Sequence, residues 1–94
     1  MDDWFEAARK MLRDNLNKLV FFCSNWSEID YVCKITPVSI RTTKQSDHIT
    51  NLYLTFKTKD GPFKWIIVSE GSPCWVYENY WEARAKAIKM GWIK

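Results

Sequence analysis

The chain has 94 residues, of which 47% are hydrophobic and 27% are charged, and its net charge is +3. We predict a single domain over residues 1–94 with one modest core, because this length and composition exclude a disordered chain and several domains. The mild positive charge permits an acidic partner or nucleic acid, and it argues against a DNA mimic, which would need an acidic surface. Six Trp, five Phe and four Tyr are more aromatic residues than so small a core usually needs. Because aromatic residues are enriched at contact surfaces, the composition favours a binding function.

An amphipathic helix is predicted from about residue 3 to residue 22. Asp3 and Glu6 have the spacing of a capping box, and apolar residues recur at three- and four-residue steps from Trp4 to Cys23. A stripe of this width could cover most of one face of a small sheet.

The middle of the chain predicts a connection, a strand and a loop. Residues 24–28 form the polar connection, which carries Trp26, and residues 29–35 alternate as a strand does. After Pro37 the apolar phase shifts by one residue, which predicts either a bulge or an edge strand that breaks there. Residues 41–48 are polar and are predicted to be a loop.

A β-hairpin is predicted around Asp60-Gly61, because runs rich in β-branched and aromatic residues lie on both sides. Pro62 has no N–H, so it is incompatible with a two-residue turn centred on Asp60-Gly61. We therefore expect a three-residue loop with a glycine bulge at Gly61, which places Thr58 opposite Pro62.

This register sorts the hairpin side chains into two faces, because successive strand residues point to opposite sides. The first face is mostly aliphatic and predicts core: Leu52, Leu54, Phe56, Lys64, Ile66 and Val68. The second face mixes rings with polar groups: Tyr53, Thr55, Lys57, Phe63, Trp65 and Ile67. We expect the second face either to be covered by a helix or to contact a partner.

The end of the chain predicts a turn, a strand and a second helix. A turn at residues 70–73 precedes a short apolar run at residues 74–77, which predicts a fourth strand. Asn79 and Glu82 have capping-box spacing and predict a helix over about residues 80–90.

One side of this second helix carries Trp81, Ala85 and Ile88, and Gly91 predicts a left-handed cap that lets Trp92 fold back on Ile88. The element order predicts an α+β two-layer sandwich, with an N-terminal helix, an antiparallel meander of three to four strands and a C-terminal helix.

Catalysis and metal binding find little support in the residue pattern. Cys23, Cys33, Cys74 and His48 could supply four zinc ligands, but they are isolated in sequence, so we predict no metal site. His48 has Asp47 beside it and no nucleophile placed by spacing. We therefore predict no enzyme activity and no cofactor.

The expected location is the cytoplasm, and the host cytoplasm if the protein is viral. The odd cysteine count indicates reduced thiols, and the first residues do not resemble a signal peptide. No apolar run is long enough to cross a bilayer, so no membrane contact is predicted.

The predicted function is that of a small non-enzymatic interaction module. Many phages and mobile elements encode small proteins of this style, including anti-CRISPR and other anti-defence inhibitors, so the hypothesis is a protein that binds and inhibits a host protein or protein complex. Six residues are the predicted contacts: Tyr53, Lys57, Phe63, Trp65, Trp26 and Trp75.

Two alternatives stay open. Single-stranded nucleic acid or nucleotides could stack on Tyr53, Phe63 and Trp65 near the hairpin lysines. An edge strand, either the one containing Pro37 or the run at residues 74–77, could accept a partner strand or form a homodimer.

Overall fold

A computed structural model describes residues 4–25, 31–45 and 48–94, with the backbone alone at residues 45 and 48–50. The elements are α1 (Trp4–Asp14), β1 (Val20–Cys23), β2 (Val32–Gln45), β3 (His48–Thr58), β4 (Gly61–Val68), β5 (Trp75–Tyr77) and α2 (Tyr80–Lys89). All strand pairs are antiparallel, and the strand order is β4-β3-β2-β1-β5. The predicted α+β class is confirmed. β1 to β4 form a meander, and β5 returns to the opposite edge beside β1.

The N-terminal helix ends at Asp14, so the prediction of a helix to residue 22 is wrong. Asn17 has a φ of 65°, a left-handed conformation that asparagine tolerates, and its N–H donates to the carbonyl of Pro37 at 2.6 Å. The next residues, Val20–Cys23, are β-branched or aromatic and form β1 instead. The predicted cap residue Asp3 lies outside the described residues.

The predicted bulge near Pro37 is confirmed, because the pairing of β2 with β3 shifts between Pro37 and Ser39. β2 lies inside the strand order, but each of its halves has one strand partner. β1 pairs with β2 as far as Ile35, and β3 pairs with it from Thr36 onward. The prediction of a loop over residues 41–48 is wrong for residues 41–45, which continue β2, and for residue 48, which begins β3. Residues 46 and 47 lie outside the described residues.

The two helices pack on opposite faces of the sheet, where a two-layer arrangement was predicted. Along β1, Val20 and Phe22 face the core beneath α1, while Phe21 and Cys23 pack with α2. The main core, beneath α1, comprises Trp4, Phe5, Ala8, Leu12, Val20, Phe22, Ile35, Leu52, Leu54, Phe56, Ile67, Cys74 and Val76. The smaller core, beneath α2, comprises Cys23, Ala83 and Ala87 with half-buried neighbours that include Val32, Trp75 and Trp92.

Both predicted caps of α2 are confirmed. The Asn79 side chain accepts backbone N–H groups of the first turn at 2.7 and 3.3 Å. At the other end Gly91 has a φ of 79°, and the Trp92 N–H donates to the Ala87 carbonyl at 3.0 Å. The Trp92 ring lies 5.9 Å from the Trp75 ring, so it returns to the sheet. Neither helix in the described part of the chain is long and apolar enough to span a membrane.

Candidate functional site

The hairpin between β3 and β4 turns at Lys59 and Asp60, with Thr58 opposite Gly61. Gly61 has a φ of 121°, in the range that glycine adopts most readily. The predicted pairing of Thr58 with Pro62 is wrong by one residue. A two-residue turn is closed by a hydrogen-bonded pair of residues, here Thr58 and Gly61. Hydrogen-bonded and non-hydrogen-bonded pairs alternate along an antiparallel ladder, so Pro62 belongs to the next, non-hydrogen-bonded pair, which requires no N–H.

This shift of one residue exchanges the two faces of β4 relative to the prediction. Ile67 lies opposite Leu52 in the main core and is only 2% exposed. Ile66 and Val68 point the other way and are 53% and 43% exposed. The predicted faces are therefore correct for β3 and wrong for β4.

The predicted contact residues consequently divide between the two faces. Phe63 and Trp65 lie on the core side, where the Phe63 ring stacks 5.7 Å from the Phe56 ring and Trp65 packs against the main core. Tyr53 and Lys57 project from the opposite side. The predicted platform of three rings is not assembled on one surface.

Trp75 is a structural neighbour of α2 in this arrangement. The Lys86 ammonium lies 4.1 Å from its ring centroid, and the Trp92 ring packs beside it. Tyr31 stacks on Trp92 in turn, at 6.4 Å between centroids. Trp75 is thus half-buried among side chains of its own chain. The predicted contact Trp26 lies outside the described residues.

On the α2 side, a part of the sheet is left uncovered by the residues that the structure describes. Val32 packs beneath α2, and Thr36, on the same side of β2, lies opposite Lys57. Tyr53 lies four residues before Lys57 along β3, so alternation puts it on the α2 side as well. We define the open sheet face by six side chains: Arg41, Tyr53, Lys57, Lys64, Ile66 and Val68.

Tyr53 lies at the centre of the open sheet face, between its cross-strand partners Arg41 and Ile66. The guanidinium carbon of Arg41 is 4.5 Å from the Tyr53 ring centroid, which is a cation–π contact. Cross-strand neighbours have Cβ atoms about 4.5–5.5 Å apart, so the ring and Ile66 form a continuous apolar patch. Val68 extends this patch along β4.

The charge on the open sheet face has one sign. Arg41, Lys57 and Lys64 each come from a different strand, and all three are exposed. The described side chains that project from this part of the sheet include no Asp or Glu: residues 36, 39, 41, 43, 51, 53, 55, 57, 62, 64, 66 and 68. The salt bridges within the described residues, Arg9–Glu6 and Arg13–Asp14, both lie at α1. The face therefore offers three positive groups around an apolar centre.

Within residues 4–25, 31–45 and 48–94, no cluster of three or more His, Cys, Asp or Glu side chains could hold a metal ion. Burial raises the pKa of Cys23 to about 11 and raises the pKa of Cys74 far above its usual range, so both are neutral thiols at pH 7.

Sequence reasoning missed four members of the open sheet face as contact residues. It placed Ile66, Val68 and Lys64 on the core face of the hairpin and Arg41 in a loop. The signal that could have found the three β4 residues is the alternative two-residue turn at Lys59-Asp60, which also satisfies Pro62.

Comparison of the chain with protein-family models, with curated proteins and with solved structures found no match.

Proposed function

We propose that the protein is a non-enzymatic binding module whose open sheet face docks on an acidic surface of a protein partner. The observation that supports this function is the exposed patch of Ile66 and Val68 with three cations, and with no Asp or Glu among the described side chains that project from this part of the sheet. Burial of apolar area contributes roughly 25 cal/mol per Å², which supplies affinity. The cations steer an acidic partner and orient it.

A protein partner fits this surface better than a single-stranded nucleic acid does. Binding by stacking uses several rings with free faces. Of the rings predicted to form a platform, Tyr53 alone lies on the open sheet face, and Arg41 occupies one side of it. The remaining apolar contacts, Ile66 and Val68, are aliphatic and match protein side chains.

The proposed partner is a protein of the host cell, and the proposed site of action is the host cytoplasm. Inhibition of a defence protein, as anti-CRISPR proteins achieve it, extends this proposal. Its support is the small size of the chain and the exposed apolar patch of the open sheet face.

The experiment is affinity capture from a nuclease-treated host lysate, with variants that change one side of the protein at a time. Ile66→Asp introduces a charge into the apolar patch and should abolish capture. Ala7→Asp is the control, because Ala7 is an exposed apolar residue of α1, which packs on the opposite side of the sheet. If both variants lost capture equally, the open sheet face would not be the binding site.

The charge contribution is tested by a second matched pair. Lys57→Glu with Lys64→Glu should weaken capture strongly, whereas Lys10→Glu with Lys18→Glu, which changes net charge equally, should not. Salt distinguishes the class of partner. A nucleic acid held by six or more phosphate contacts loses about 10³-fold or more in affinity between 50 and 200 mM salt. Capture from untreated lysate that falls this steeply with salt and disappears after nuclease treatment would replace the proposed protein partner with a nucleic acid.

A further inference from the structure

The apolar stripe that the sequence places on α2 faces solvent. Trp81 is 67% exposed and Ile88 is 40% exposed, and Ala85 between them is exposed as well. Steps of four and three residues put these side chains on one side of the helix. The buried side consists instead of Ala83 and Ala87, both 0% exposed. The stripe is therefore an apolar helix surface without a covering element in the described structure.

From this surface we propose that α2 pairs with α2 of a second copy of the chain, in an antiparallel, two-fold symmetric dimer. The proposal goes beyond the function above, because it uses residues outside the open sheet face. The inference rests on two self-complementary features of the helix, one of shape and one of charge.

The shape of the stripe is self-complementary when the helices run antiparallel. A small residue, Ala85, would lie near the two-fold axis against its own copy, which lets the helices approach to about 8–10 Å. The large side chains at the ends of the stripe would then meet in unlike pairs. Trp81 of each copy would pack on Ile88 of the other, so each ring loses exposed apolar area.

The charges beside the stripe are also self-complementary. Glu82 and Lys89 lie about 100° and 80° round the helix from Trp81, at 100° per residue, so they flank the same side of the stripe. In a two-fold symmetric antiparallel pair, the side of one helix that carries these charges lies next to the same side of the other helix. Glu82 of each copy therefore lies beside Lys89 of the other, which gives two such contacts. The helix is acidic in its first turn and basic in its last, so antiparallel pairing also aligns unlike ends. Arg84, on the other side, meets its own copy and limits the affinity.

The expected dimer is weak. α2 has ten residues and is therefore about 15 Å long. A helix of that length cannot bury the roughly 800 Å² per partner that a standard stable interface has, so we expect a dissociation constant of about 10 µM to 1 mM.

Sedimentation equilibrium of the full chain, from about 10 µM to 1 mM, tests the dimer in the range expected for an interface of this size. The weight-average mass of the wild type should rise from the monomer value toward twice that value. Trp81→Ala should stay monomeric throughout. Ile66→Ala is the control, because it removes an exposed aliphatic side chain from the open sheet face and should dimerise like the wild type. A wild type that stays monomeric, or an unaffected Trp81→Ala, would overturn the proposal.

A charge exchange tests the antiparallel register. Glu82→Lys alone, or Lys89→Glu alone, places like charges opposite each other and should weaken dimerisation several-fold. The double variant Glu82→Lys with Lys89→Glu should restore it. Thermal unfolding of each variant verifies that these surface changes leave the fold intact. Failure of the double variant to recover would refute the register. Loss of host-protein capture by a monomeric Trp81→Ala would assign the stripe to a partner protein instead.

Discussion

Two adjacent isoleucines in β4 provide a matched test of which side of the strand is buried. Ile67 is 2% exposed and Ile66 is 53% exposed, and Ile→Ala removes the same atoms at both positions. The loss of strand propensity is also shared, so it largely cancels in the comparison. The difference between the two variants therefore reports the difference in burial.

The expected magnitudes follow from that burial. Ile→Ala in a packed core costs 2–5 kcal/mol, and we expect about 3 kcal/mol for Ile67→Ala. Full burial of an isoleucine side chain is worth about 1.5–3 kcal/mol, so the half-exposed Ile66 should lose about 1 kcal/mol. Because small domains have unfolding free energies of about 5–15 kcal/mol, both variants should remain folded.

Urea unfolding monitored by tryptophan fluorescence measures both variants against the wild type. With a slope of about 1.5 kcal/mol per molar urea, the two midpoints should differ by roughly 1.3 M, at unchanged slope. The alternative hairpin register, with Thr58 opposite Pro62, would put Ile66 in the core and Ile67 outside. Equal costs, or a larger cost at Ile66, would refute the register and with it the open sheet face.

The remaining predictions concern the α2 cap, the hairpin glycine and the buried thiols. Asn79→Ala should cost about 1 kcal/mol and lower the thermal midpoint by about 4–8 °C, whereas Asn79→Asp should retain the cap. Gly61→Ala should lower the free energy of unfolding by about 1–3 kcal/mol, because alanine is strained at a φ of 121°. The added Cβ meets no atom within 4 Å, so the backbone alone causes this loss. A variant as stable in urea as the wild type would contradict this prediction. The raised pKa of Cys23 means that its unfolded thiol ionises first, so the unfolding free energy should fall as pH rises from about 9 to about 11. Cys23→Ala should reduce that slope in urea titrations, and the raised pKa of the buried Cys74 thiol should account for part of the slope that remains; an unchanged slope would show that other groups cause it.

The caps of α2 could be predicted from sequence because their interactions are local. The Asn79 side chain reaches N–H groups two and three residues away, and Gly91 closes the helix with bonds to the preceding turn. The bulge at Pro37 is local for the same reason, since a proline removes a donor wherever its strand pairs. These features depend on neighbouring residues and not on contacts with distant parts of the chain.

Helix and strand could not be separated at the end of α1 by periodicity alone. Apolar residues from Trp4 to Cys23 fit one helical stripe, yet Val20–Cys23 pair with β2 and β5. The hairpin shows the same limit. Its position follows from the residues around Gly61, but two registers both satisfy Pro62, and a difference of one residue reverses which side chains are buried.

The amino-acid sequence by itself determined the α+β class, the hairpin near Asp60-Gly61 and the caps of α2, because these depend on neighbouring residues. Only the tertiary structure decided which surfaces are exposed. The pattern of Trp81, Ala85 and Ile88 is the same whether it faces inward or outward. The stripe faces outward because the opposite side of α2, which carries the small residues Ala83 and Ala87, packs against β1 and β5. That packing arises from contacts between residues far apart in the chain.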